Sequence, residues 1–136
     1  MAPALKGFDH IHVYVSTRAS AEAWYARVMG LLRDAKFEPW TTGGGPLTIG
    51  NGSGTFHLAL FERPVEKCGS VVAFNTTASE FLAWRDHLTG VFGRTVEAVD
   101  HDLSWSLYFT DPDGNPFEIT SYEYMPLSAV LAKQGG

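Results

Sequence analysis

Cysteine is almost missing from this chain. Cys68 is the only one among 136 residues, so no internal disulfide staples the fold and the composition suits a reducing compartment. Positive charge is also scarce. Lys and Arg number 10 against 15 Asp and Glu, a net charge of −5, which argues against nucleic acid or an anionic membrane surface as partner. No apolar run approaches the roughly 20 residues that span a bilayer. The opening Met1-Ala2-Pro3-Ala4-Leu5-Lys6 has no apolar stretch of the signal-peptide kind, so a cytoplasmic protein is expected. Gly43-Gly44-Gly45 is not followed by the Lys-Ser/Thr of a phosphate loop and reads as a flexible pocket edge. What is plentiful is apolar and aromatic side chains, at 45% and 13%. That excludes a disordered tail and allows one domain with a real core.

Alternation and capping signals give the element order. From Phe8 to Val15, Ile11, Val13 and Val15 fall on one face and His10, His12 and Tyr14 on the other, the period of a half-buried strand. Ser16 or Thr17 then caps a helix to about Leu31, with Trp24, Val28 and Leu31 on its apolar side and Gly30 at its end. Phe37 to Trp40 reads as a short strand, and Leu47 to Gly50 with Thr55 to Glu62 as a hairpin around Asn51-Gly52-Ser53-Gly54. The order then repeats. A strand is expected over Val71 to Thr76, a helix over Ser79 to Leu88, and a strand over Thr95 to Val99. Paired strands Ser104 to Thr110 and Pro116 to Tyr122 flank the turn Asp111-Pro112-Asp113-Gly114-Asn115. Met125 to Gln134 reads as a short terminal helix with a frayed tail.

The repetition is visible residue by residue. Phe56-His57-Leu58 falls on Phe117-Glu118-Ile119 at an offset of 61 residues, and the same offset carries Asp9-His10-Ile11 onto Ser70-Val71-Val72. A duplicated unit places such positions in equivalent surroundings. Three of the four, His10, His57 and Glu118, carry metal-ligating side chains, and two imidazoles with one carboxylate make a common non-haem metal site. The fourth, Val71, is apolar. On this alternation His10, His12, Tyr14, His57, Ala59, Val71, Ala73, Tyr108, Glu118 and Thr120 line a cup of mixed polarity, while Ile11, Val13, Leu58, Leu60, Val72, Phe74, Leu107, Phe109, Phe117 and Ile119 face the helices. His87 is expected on a helix surface, and Cys68 has no catalytic neighbours.

The run Ser106-Leu107-Tyr108-Phe109-Thr110-Asp111-Pro112-Asp113-Gly114-Asn115-Pro116-Phe117-Glu118, together with Asp9-His10, resembles the vicinal oxygen chelate superfamily, which includes glyoxalase I, extradiol dioxygenases, fosfomycin-resistance enzymes and bleomycin-binding proteins. The likeness extends from about Phe8 to Tyr122. It implies an α+β fold of two βαβββ modules forming a curved, partly open barrel with helices outside. One domain over residues 1–136 is expected, with module one at about 8–62, module two at about 70–122 and a tail at 123–136, commonly assembled as a homodimer. It also implies a divalent metal (Fe²⁺, Mn²⁺, Ni²⁺ or Zn²⁺) held by His10, His57 and Glu118, with Val71 at the non-ligating fourth position. Glyoxalase I uses all four such positions; extradiol enzymes use the first, third and fourth. His101 and Tyr108 sit where extradiol-type enzymes carry proton-transfer groups, and His12 is a third acid/base candidate. The expected activity is metal-dependent chemistry on a small molecule with vicinal oxygens. The alternative is a metal-free small-molecule binding protein of the bleomycin-resistance type.

Overall fold

Alternation in the first strand is what organises the first half of the molecule. In the computed structural model, which describes residues 1–65 and 68–134, β1 (His10–Val15) buries Val13 and Val15 while His10, His12 and Tyr14 stay exposed. Thr17 precedes α1 (Arg18–Met29), and Gly30 ends it in the left-handed conformation. Tyr25 and Val28 of α1 are fully buried, Leu31 is nearly so, and Trp24 is only half-buried. The strands β2 (Leu32–Arg33), β3 (Leu47–Gly50) and β4 (His57–Glu62) follow. The sheet runs β1-β4-β3-β2, with β1 parallel to β4 and the other pairs antiparallel.

The strand expected over Phe37 to Trp40 is absent. A 3₁₀ turn (Ala35–Phe37) leads into the short helix α2 (Glu38–Thr42) instead. Two local features decide this. The Asp34 carboxylate accepts the Lys36 N–H at 3.0 Å, which starts the turn. Pro39 has no N–H to give a sheet ladder but suits the first turn of a helix. Arg33 then ties the region down: its guanidinium donates to both carboxylate oxygens of Glu22 at 2.8 and 2.9 Å, and to Glu38 at 2.8 Å.

The second half repeats the plan. It holds β5 (Val72–Asn75), α3 (Ala78–Phe92), β6 (Val99–Asp100), β7 (Trp105–Thr110), β8 (Pro116–Ser121) and α4 (Tyr124–Gln134). The sheet order is β5-β8-β7-β6, again with the first pair parallel. A reciprocal capping box opens α3: Thr77 Oγ1 accepts the Glu80 N–H at 3.2 Å, and Glu80 accepts the Thr77 N–H at 2.8 Å. The helix runs beyond the expected Leu88 and stops at Gly93. The strand expected from Thr95 shrinks to Val99–Asp100, because the preceding backbone is tied elsewhere: the Val96 N–H donates to Thr89 of α3 at 3.2 Å, with the Val96 side chain buried. The Asp111 turn forms as expected. Asp111 accepts the N–H groups of Asp113 and Asn115 at 3.0 and 2.8 Å, and Gly114 sits at φ +86°, where a Cβ would be strained. Leu107, Phe117, Ile119, Phe81, Leu88 and Leu127 form the core of this half.

The chain divides into two compact units, Met1–Glu66 and Lys67–Gly136. Among the described residues each sheet taken by itself is open, with two edge strands. The joining segment read as 62–69 is described apart from residues 66 and 67. The frayed tail falls on 135 and 136, outside the described residues. No helix among the described residues is long and apolar enough to cross a membrane.

Candidate active site

Two cross-strand rows on the polar face of the first sheet carry the chemistry of that unit. In one, Gly50 of β3, His57 of β4 and His10 of β1 stand side by side; in the next, Thr48, Ala59 and His12 do. The parallel register therefore brings the two expected imidazoles, His10 and His57, together. Gly50 is what admits His57 to this row. A Cβ there would meet the His57 ring at 2.8 Å and the Phe56 carbonyl at 3.1 Å.

Each imidazole is held by its own aspartate. His10 Nδ1 lies 2.7 Å from Asp9 Oδ2, and His57 Nε2 lies 3.0 Å from Asp34 Oδ2. A carboxylate only accepts, so these ring nitrogens donate, and in the neutral rings the opposite nitrogens, Nε2 of His10 and Nδ1 of His57, become acceptors. His12 answers the first: its Nε2 is 3.1 Å from His10 Nε2, with the rings stacked at 5.1 Å between centroids. The His10 bond holds the Asp9 carboxyl below the ordinary carboxylate range. Asp34 is lowered chiefly by the Lys36 amide and then by His57. Phe37 meets His57 edge-on at 5.2 Å and Trp40 at 4.9 Å. His10, His12, His57, Phe37 and Trp40 line, with Thr48 and Ala59, a cavity of about 40 Å³.

The second unit holds Glu118, Tyr108 and His101. Glu118 is half-buried on β8, and its Oε2 accepts the Ser106 hydroxyl at 2.7 Å. Tyr108 stands opposite Glu118 on β7, and its hydroxyl lies 2.8 Å from His101 Nε2. The two proton-transfer candidates are thus in contact. His101 occupies a tight turn in which its N–H bonds the Ser104 carbonyl at 2.9 Å and Asp102 takes φ +70°.

The residue paired with Glu118 on β5 is Ala73, not Val71, which precedes the strand and is 49% exposed. Neither side chain can ligate a metal, so the fourth position stays apolar. Sequence reading alone passed over Asp34, which lies far from His57 in the chain, and Thr48 and Ser106, whose hydroxyl roles come from pairing. Asp9 was quoted beside His10, but its bond to the ring had no signal beyond adjacency.

The first unit's donors suit a divalent metal in kind, as imidazoles oriented by carboxylates; the second unit by itself offers a carboxylate held by a hydroxyl. Among the described residues, no three His, Cys, Asp or Glu are already gathered as a metal-holding group.

Solved structures of similar fold include a glyoxalase/dioxygenase from Nostoc punctiforme, at 20% identity and TM-score 0.66, covering 90% of this chain and 95% of that one. Another is the fosfomycin resistance protein FosX from Listeria monocytogenes, complexed with Mn(II) and sulfate, at 15% identity and TM-score 0.64, covering 93% and 98%. No curated protein shows a significant match. The Glyoxalase/Bleomycin resistance protein/Dioxygenase superfamily profile matches residues 7–119, and to that superfamily the chain belongs.

Proposed function

We propose that this chain is a divalent-metal enzyme acting on a small molecule with vicinal oxygens, with His10, His57 and Glu118 as the metal ligands. The observation that carries the reading is the parallel β1–β4 register, which sets His10 beside His57 with each ring tethered to an aspartate. Carboxylate-tethered histidines are the usual form of metal-binding imidazoles. That a similar fold, FosX, is complexed with Mn(II) supports the class of cofactor. When bound, the metal would supply Lewis-acid stabilisation of oxyanion charge on the substrate.

The chain's own groups do the rest. Asp9 and Asp34 set which nitrogen of each ring is free. Ser106 orients the Glu118 carboxylate. The Tyr108 hydroxyl donates a proton or a hydrogen bond to a substrate oxygen, and His101, 2.8 Å behind it, restores that proton. His12, bonded to His10, is the second acid/base candidate.

One observation favours the metal-free binding module as a second reading: the His10 nitrogen that Asp9 leaves free is already hydrogen-bonded to His12. Mn(II) titration by calorimetry decides between the two. The enzyme reading expects near-stoichiometric binding, weakened at least about tenfold in His57→Ala and Glu118→Gln. No binding of Mn(II), Fe²⁺, Ni²⁺ or Zn²⁺ to the unmodified chain would remove the metal and leave the binding module.

A further inference from the structure

Thr48 is 4% exposed, and its Oγ1 has no hydrogen-bond partner among the described residues. A buried hydroxyl left alone costs free energy, so such an atom usually marks a place where something else binds. The local architecture explains the vacancy. Thr48 heads the row Thr48–Ala59–His12 across β3, β4 and β1. Ala59 between the two polar residues is a bare methyl, which leaves a notch and offers no polar atom. The equivalent row of the second sheet is Ser106–Thr120–Asn75. There the β7 hydroxyl is satisfied: Ser106 donates to Glu118 at 2.7 Å and lies 3.1 Å from Thr120 Oγ1. The first unit has the same hydroxyl position without the side chains that would occupy it.

Thr48 and Ala59 line, with Phe37, Trp40 and His57, the cavity of about 40 Å³, enough for a few water-sized groups. Phe37 and Trp40 pack on each other, with ring centroids 4.9 Å apart and tilted by 36°, and together form one apolar side of the cavity.

We infer that this pocket is a ligand subsite in which the Thr48 hydroxyl donates to an oxygen of a small planar ligand that enters the cavity by its oxygen-bearing edge, beside the Phe37–Trp40 pair. The inference deepens the proposed function and rests on it for the substrate class, neighbouring oxygens on a small molecule. The Thr48 hydrogen bond itself needs no metal. Thr48 is then a specificity residue: it rewards a ligand with an accepting oxygen at that depth and rejects one with a methyl group there.

The test is calorimetric titration of catechol, anaerobically, into the unmodified chain, Thr48→Val and Thr48→Ser, each with chelator and again with Mn(II). Thr48→Val keeps the shape and removes the hydroxyl; Thr48→Ser keeps the hydroxyl. The expected result is catechol binding weakened at least about fivefold in Thr48→Val and within about twofold of unmodified in Thr48→Ser. Thr48→Val should also melt at a higher temperature than the unmodified chain when ligand-free, since an unpartnered hydroxyl has become a methyl. Equal affinity in Thr48→Val, no catechol binding to the unmodified chain in either condition, or a lower melting temperature for Thr48→Val (a hydroxyl held by a fixed water) would each overturn the inference. Thr48-dependent catechol binding without any Mn(II) binding would instead sink the metal reading and leave this one standing.

Discussion

The central row of the first sheet reads Gly50, His57, His10; that of the second reads Tyr108, Glu118, Ala73. The scaffolds match strand for strand, yet the chemistry is divided between them. The first unit carries imidazoles braced by aspartates, and the second a carboxylate braced by hydroxyls. The small residue has also changed sides. In the first unit it lies on the hairpin partner, Gly50, and makes room for His57. In the second it lies on the parallel partner, Ala73, and the hairpin partner is the large Tyr108. A duplicated fold can thus keep its backbone pairing and specialise its halves by exchanging which flank of one position is crowded.

The comparison can be broken most directly at Gly50. Gly50→Ala places a Cβ against the His57 ring and the Phe56 carbonyl, and a loss of about 2 kcal/mol is expected, together with loss of the His57–Asp34 bond. Thermal unfolding and the NMR signals of the His57 ring check both. Tyr108→Ala at the matching place, where the side chain is 42% exposed, should cost well under half as much. Equal losses would mean that the crowding difference is not what separates the units.

The helices sharpen the contrast at a smaller scale. Thr77 caps α3 through a reciprocal pair of bonds, whereas Thr17 before α1 makes no side-chain capping bond. Thr77→Ala should cost about 1 kcal/mol and Thr17→Ala a few tenths, measured by chemical denaturation; a reversed order would contradict the capping geometry.

The smallest effect is in acid. The Glu22 carboxyl is held below its usual range, first by the hydrogen bond from Arg33, and that of Glu80 by the Thr77 amide. Both folded values are depressed. The stabilisation is therefore full above the ordinary glutamate range and is lost as the pH falls through the depressed value. Glu22→Gln and Glu80→Gln should each flatten the acid limb of stability against pH and leave the neutral-to-alkaline region level. An acid limb as steep as that of the unmodified chain would show that these bonds do not distinguish the two protonation states.

Much of this was legible in the sequence because it is local. The face alternation of β1, β4, β7 and β8, the Asp111 turn and the Gly30 stop depend on neighbours a few residues away. The partner of Glu118 does not. A slip of two residues keeps every side chain on its face, so alternation cannot tell Val71 from Ala73; only strand pairing does. Phe37 to Trp40 misled because an aromatic-rich run suits a strand, and one proline with one aspartate cap outweighed it. The resemblance marked His101 and Tyr108 separately, and only the structure shows that they touch. The Asp34–His57 bond depends on how the 3₁₀ turn lies over β4, and no spacing in the chain reports that.

The parallel pairing of β1 with β4 also bears on the order in which the first unit folds. β3 and β4 are joined by a short loop and can zip together early, but β1 must return across α1, β2 and α2 to reach β4 at the sheet edge. Closing so long a loop is slow relative to hairpin formation. The His10–His57 pair therefore rests on the most sequence-distant pairing of the first sheet, whereas Thr48 and His57 sit together on its β3–β4 hairpin.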